Sequence, residues 1–176
     1  MNILIAGIGN IFHGDDAFGV EVANRLLGRS LPEGVRVVDF GIRGFDLAYA
    51  LLDDQEVTIL VDATARGGAP GTLYTIEIDP ESKVGLDRPS VNVATHGMDP
   101  LRVLQLAQSM GGCRGRLLLV GCEPETLGTP EEGQMGLSET VEAAVGGAAD
   151  LVENLVWKLI RAASRASSAG AGMQPN

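Results

Sequence analysis

Asp16, Asp62 and His96 are the side chains of this 176-residue chain best suited to joint chemistry. Asp16 follows the first apolar run, inside GIGNIFHGDDAFGV (residues 7–20), and Asp62 closes the third, TILVDA (residues 58–63). His96 stands in a polar loop, ATHGMDP (residues 94–100), just ahead of a helical pattern. If the apolar runs are parallel strands, these positions share the rim formed by the strands' carboxyl ends, where open α/β sheets bind ligands. Two carboxylates and one imidazole suit a borderline divalent ion such as nickel or zinc. Three protein ligands also leave coordination positions open, as a catalytic metal requires.

Each residue has an ordinary reading beside that one. Asp15 and Asp16 are paired acids at a helix start, where one caps and both oppose the dipole; Asp15 is assigned the cap. Asp62 sits directly after Ile59, Leu60 and Val61, at the mouth of a buried strand, where a carboxylate is costly without a partner. A hydrogen bond to loop amides would meet that need as well as an ion. His13, the other histidine, reads as an exposed residue or an outer contact. Cys122 ends the fifth strand and reads as a small buried hydrophobe. A nucleophilic Cys122–His96 pair is the sharper alternative.

The elements that must position these groups follow from the apolar pattern. Residues 2–8, 35–40, 57–63, 72–78 and 116–122 read as strands, the first and third as fully buried runs. Between them lie helical patterns. The first carries Val20, Val22, Ala23, Leu26 and Leu27 on its inner face, and a short one spans residues 45–52. A third starts at Pro100 behind Asp99, with Leu101, Leu104 and Ala107 inward. The longest is capped by Ser138, with a stripe through Val141, Val145, Ala148, Val152, Leu155 and Leu159. Strands alternating with helices predict a three-layer α/β sandwich, a five-stranded, mostly parallel, twisted sheet with helices on both faces. Residues 1–165 form its single domain, and 166–176, small and polar, read as a disordered tail.

Composition narrows the function. With 23 acidic against 13 basic residues and a net charge of −10, the chain lacks the basic face a general nucleic-acid binder needs. No apolar stretch is long enough to span a bilayer. Two cysteines without a CxxC spacing indicate a reducing compartment, and the start runs straight into a strand. A cytoplasmic monomer is the expectation. The helix HExxH motif, the GxSxG elbow and the P-loop are all absent. The opening GxGxxG-like run puts Phe12 where the third glycine belongs, which weakens a nucleotide-binding α/β enzyme, although Asp39 ends the second strand as such an enzyme would need.

Seven fragments in order resemble the hydrogenase maturation proteases. They are GIGNIFHGDDAFGV, DFGIRGFDLAYALL (39–52), VDAT (61–64), PGTLY (70–74), THG (95–97), VGCEPE (120–125) and GLSETVEAAV (136–145). The resemblance covers nearly the whole chain. It implies an endopeptidase that removes the C-terminal extension of a nickel-containing hydrogenase large-subunit precursor once nickel is installed. Its metal-contacting positions fall on Asp16, Asp62 and His96; for the catalytic step, Asp16 or Asp62 as general base and an ion that polarises the carbonyl or activates a water are both open. Asp16 stands where some relatives carry Glu, one methylene longer. Gly41 and Gly44 fall on a turn that engages substrate. Cys122 departs from an apolar position. The nickel would arrive in the substrate's own site, with zinc or another divalent ion able to substitute. A non-catalytic nickel or precursor-binding chaperone, using the same three residues, is the alternative.

Overall fold

The computed structural model describes residues 1–79, 100–128 and 133–170. Its elements run β1 (Ile3–Ile8), a one-turn 3-10 helix (Gly14–Ala17), α1 (Phe18–Leu27), β2 (Val35–Gly41), α2 (Gly44–Ala50), β3 (Val57–Ala63), β4 (Leu73–Ile78), α3 (Pro100–Ser109), β5 (Arg116–Cys122) and α4 (Glu139–Gly170). The strands form one sheet in the order β2-β1-β3-β5-β4. All neighbours are parallel except the β4–β5 pair at the edge. This is the expected five-stranded, mostly parallel α/β sheet.

The two-residue period of the strands divides the core between two faces. Ile3 and Ile5 of β1, with Ile59 and Val61 of β3 and Val120 of β5, pack against Phe18, Val22 and Leu26 of α1 and the stripe of α4. Leu4, Ala6 and Ile8, with Leu60 and Leu117, pack instead against Leu47 and Ala48 of α2 and Val103, Leu104 and Ala107 of α3. Every residue of β1 and of β3 is buried, so the apolar runs lack alternation because both faces are covered. The edge strands β2 and β4 are only partly buried.

Several details depart from the expectation. Leu27 is exposed, because α1 reaches its last turn there and the inner face ends at Leu26. In α4 Val156 is fully buried in place of Leu155, which lies on the border of the stripe. Ser138 does cap α4, its hydroxyl accepting from the Val141 amide at 3.3 Å. The helix then continues to Gly170, past the point where a tail was expected, because Ala and Ser in 163–169 do not break a helix already propagating. Asp99 and the loop carrying His96 lie outside the described residues, as do the side chains of Pro100 and Leu101.

Candidate active site

β1 sends its chain to α1 on one face and β2 sends its chain to α2 on the other, so the strand order reverses direction between β1 and β3. Loops leaving the carboxyl ends at such a switch point diverge and open a crevice. Asp16 lies on the segment leaving β1, and Asp62 is the penultimate residue of β3.

Glycines bring these two segments together. The first turn of α1 lies directly on the sheet: a methyl group on Gly19 would stand 2.1 Å from the Val61 carbonyl and 2.3 Å from that of Ile8. One on Gly7 would meet the Gly19 carbonyl at 2.4 Å. The close helix–strand approach that a dinucleotide fingerprint assigns to its third glycine is thus made by Gly7 and Gly19. Phe12 stands in solvent. Gly9 has φ 138°, a conformation that other residues rarely adopt, and lies on the Asp16 carbonyl. Asp16 is thereby fixed three residues before Gly19, which touches the residue preceding Asp62.

Asp15 and Asp16 diverge completely. Asp15 is fully buried and turns away from α1, so the expected helix cap is not made. Its Oδ2 accepts from the amides of Glu125 and Thr126 at 2.8 and 2.9 Å, and from the Ser138 hydroxyl at 3.1 Å. Its Oδ1 accepts from the Ser138 amide at 2.6 Å. Asp15 therefore ties the β1 loop to the β5–α4 connection. Asp16 accepts one hydrogen bond, from the Asn10 amide to Oδ2 at 2.8 Å. Burial pushes its carboxyl above the ordinary 3.8, opposed by that bond and by nearby His13.

Asp62 is buried on the same face as Leu60. Thr64 Oγ1 donates to its Oδ2 at 3.2 Å. Asp62 pairs across the sheet with Gly121, and Gly121 with Tyr74. A side chain at Gly121 would collide with the Tyr74 ring at 2.2 Å, so the glycine lets that ring lie over the sheet beside Asp62. The Tyr74 hydroxyl donates to the Thr64 carbonyl at 2.7 Å, and burial pushes its pKa up to about 12. Tyr74 stays a phenol and a donor.

Sequence reading missed two groups at this rim. Tyr74 was counted only as a strand residue, and its signal is the register that sets it opposite a glycine. Glu123, directly after β5 and 4% exposed, lies two residues beyond Gly121, the cross-sheet partner of Asp62. Both of its carboxylate oxygens accept from the Arg66 amide, at 2.8 and 2.9 Å. Its role is to hold the loop after β3, and the Arg66 guanidinium then rests 4.9 Å from the Tyr74 ring centre. Cys122 lies in the core beneath α4, with its thiol pushed up to about 11 by burial and by the charges of Asp15 and Glu123. A protonated, enclosed thiol is no attacking group, so the nucleophilic pair with His96 is set aside. Gly41, with φ 53°, accepts from the Gly9 amide at 3.1 Å, and Gly44 opens α2 three residues later. His96 lies outside the described residues. Among the described residues no three His, Cys, Asp or Glu side chains form a group able to hold a metal by themselves.

A family model described as hydrogenase maturation protease matches residues 20–155. The chain belongs to the hydrogenase maturation protease family. It is 29% identical to the hydrogenase 2 maturation protease of Escherichia coli over 86% of this chain and 88% of that one. The solved structure of the hydrogenase maturating endopeptidase HybD from E. coli is similar at TM-score 0.73 and 30% identity, covering 90% of this chain and 93% of that chain. A Rhodobacter capsulatus relative, the hydrogenase expression/formation protein HupD, is 35% identical over 126 residues. There the match covers 71% of this chain but only 58% of the relative's length. The family is one of peptidases.

Proposed function

We propose that this chain is the cytoplasmic endopeptidase that removes the C-terminal extension of a nickel-containing hydrogenase large-subunit precursor after nickel insertion. The reading is supported by the positions of Asp16, on the segment leaving β1, and Asp62, near the carboxyl end of β3, in a maturation-protease fold. The nickel belongs to the precursor. Asp16, Asp62 and His96 are the recognition ligands that test whether it is loaded; two oxygens and one nitrogen suit that ion, and zinc or a similar ion could take its place.

The same carboxylates serve the cleavage. An ionised carboxylate at the rim accepts a proton from water as the water oxygen adds to the scissile carbonyl. The carbon–nitrogen bond then breaks and the proton passes to the leaving amine. Thr64 and Tyr74 hold Asp62 and its loop in place during this step, and the Gly41–Gly44 turn receives the substrate chain. An ion held by Asp16, Asp62 and His96 would polarise the carbonyl or lower the pKa of the water.

Incubating purified protein with nickel-loaded precursor, and weighing the precursor before and after, tests the reading. The expected product is shorter by its C-terminal extension, and nickel-free precursor is left whole. A protein that binds the precursor tightly and never shortens it would instead be a maturation chaperone, and the peptidase assignment would fall.

A further inference from the structure

Among the described residues, eleven large apolar side chains are exposed, and seven of them lie between β1 and α1, in or just before α2, or between β5 and α4. Single exposed apolar residues are ordinary, but a concentration on one rim marks an interaction surface. On α2, Phe45 and Tyr49 stand one turn apart, 72% and 61% exposed, while Leu47, Ala48 and Leu51 hold the opposite face in the core. Ile42 extends the outward face before the helix begins.

The three segments are laced side by side. The Gly9 amide donates to the Gly41 carbonyl, which joins the β1 loop to the α2 turn. The Gly14 amide donates to the Gln134 carbonyl at 2.7 Å, and His13 pairs with Gln134, which joins the β1 loop to the β5–α4 connection. Phe12 and Met135 flank that second joint, 54% and 71% exposed. The apolar surface therefore borders Asp16 and is continuous with the candidate active site.

We infer that Ile42, Phe45 and Tyr49, continued by Phe12 and Met135, form the docking surface for the precursor polypeptide, which seats an apolar segment flanked by basic residues. This rests on the peptidase reading above and adds where the substrate chain is gripped away from the scissile bond. The basic flank follows from charge. Arg43 is the only cation in residues 39–49, and it is engaged by the Asp39 carbonyl and the Asp46 carboxylate. The surface thus presents no uncommitted cation in that segment, on a chain of net charge −10. A complementary partner is basic, and steering by that charge weakens with salt.

The test uses the full chain and nickel-loaded precursor, with Phe45→Ser/Tyr49→Ser as the variant and Trp157→Ser on α4 as the control. Precursor affinity and cleavage are both measured. The double variant should melt like the unsubstituted protein, lose about tenfold or more in affinity, and raise KM by a similar factor with kcat held. Trp157→Ser should change neither. Unchanged affinity in the double variant overturns the docking surface even if cleavage proceeds normally. If the unsubstituted protein binds but does not cut, the peptidase reading fails, and loss of binding in the variant still supports the surface. If the unsubstituted protein sediments as a dimer that the double variant dissolves, with precursor affinity unmoved, the face pairs two copies and the inference is wrong.

Discussion

Asp15 and Asp16 are neighbours in one turn, yet they occupy opposite kinds of environment. Asp15 has four hydrogen bonds from residues 125–138 and no exposure at all. Asp16 keeps part of its surface in water and receives one hydrogen bond. A carboxylate saturated by protein donors holds the fold, because removing it leaves buried amides without acceptors. A carboxylate that is partly desolvated and sparsely bonded is expensive to keep charged, and it is the one available to an ion or a proton. The difference separates an acid whose acceptors are filled by the fold from one with acceptor capacity to spare, where residue type alone cannot.

The comparison can be broken in several ways, and the largest effect belongs to the functional side. Asp62→Ala should lower processing of nickel-loaded precursor by about a thousandfold or more while the circular dichroism spectrum is retained. Near-normal processing by that variant, read as product mass over time, would remove Asp62 from the site. Next comes the structural side. Asp15→Ala should cost about 3 kcal/mol in a urea melt, because the part-buried Glu125, Thr126 and Ser138 amides lose their shared acceptor. A melt within experimental error of the unsubstituted protein would show that water replaces the carboxylate and that the knot is unimportant.

Gly19→Ala should destabilise by about 3 kcal/mol, since its methyl group would meet two backbone carbonyls that cannot rotate away. Its processing rate should fall as well, because the same contact holds the segment carrying Asp16 against the end of β3. A smaller effect sharpens the Asp16 side. Its carboxyl titrates above its unfolded value, so the folded state bears the cost of the charge at neutral pH. That handicap shrinks as pH falls through the raised value and is gone below 3.8. Asp16→Asn should therefore be more stable than the unsubstituted protein at neutral pH, with the gain fading as the pH is lowered. A gain that grows on acidification would reverse the assignment. The smallest change is Tyr74→Phe, which loses one hydrogen bond to the Thr64 carbonyl and should cost about 1 kcal/mol.

How much of this was visible in the sequence depends on how far each residue's partners lie along the chain. The strands and their order of burial were legible because β1 and β3 are continuous apolar runs bounded by glycine or polar residues. The rim positions of Asp16 and Asp62 followed from the same runs. Asp15 was misread as a helix cap because its true partners lie 110 to 123 residues away. Tyr74 and Glu123 were overlooked for a similar reason: each acts through register or a loop amide, Gly121 for one and Arg66 for the other. The continuation of α4 through Ala and Ser was read as a tail because low hydrophobicity was taken for lack of structure, although alanine has the strongest helix propensity. His96 could be named from its loop, and its geometry is the part that neither pattern nor described residues supply.

Under the proposed function, Asp16, Asp62 and His96 close on a single ion. Crystals of the protein soaked with zinc and measured for anomalous scattering test it directly. One peak is expected at the β1–β3 switch point, about 2.0–2.2 Å from a carboxylate oxygen of each aspartate and from an imidazole nitrogen of His96. A peak elsewhere, or one that the two aspartates share while the imidazole points away from it, would contradict the claim.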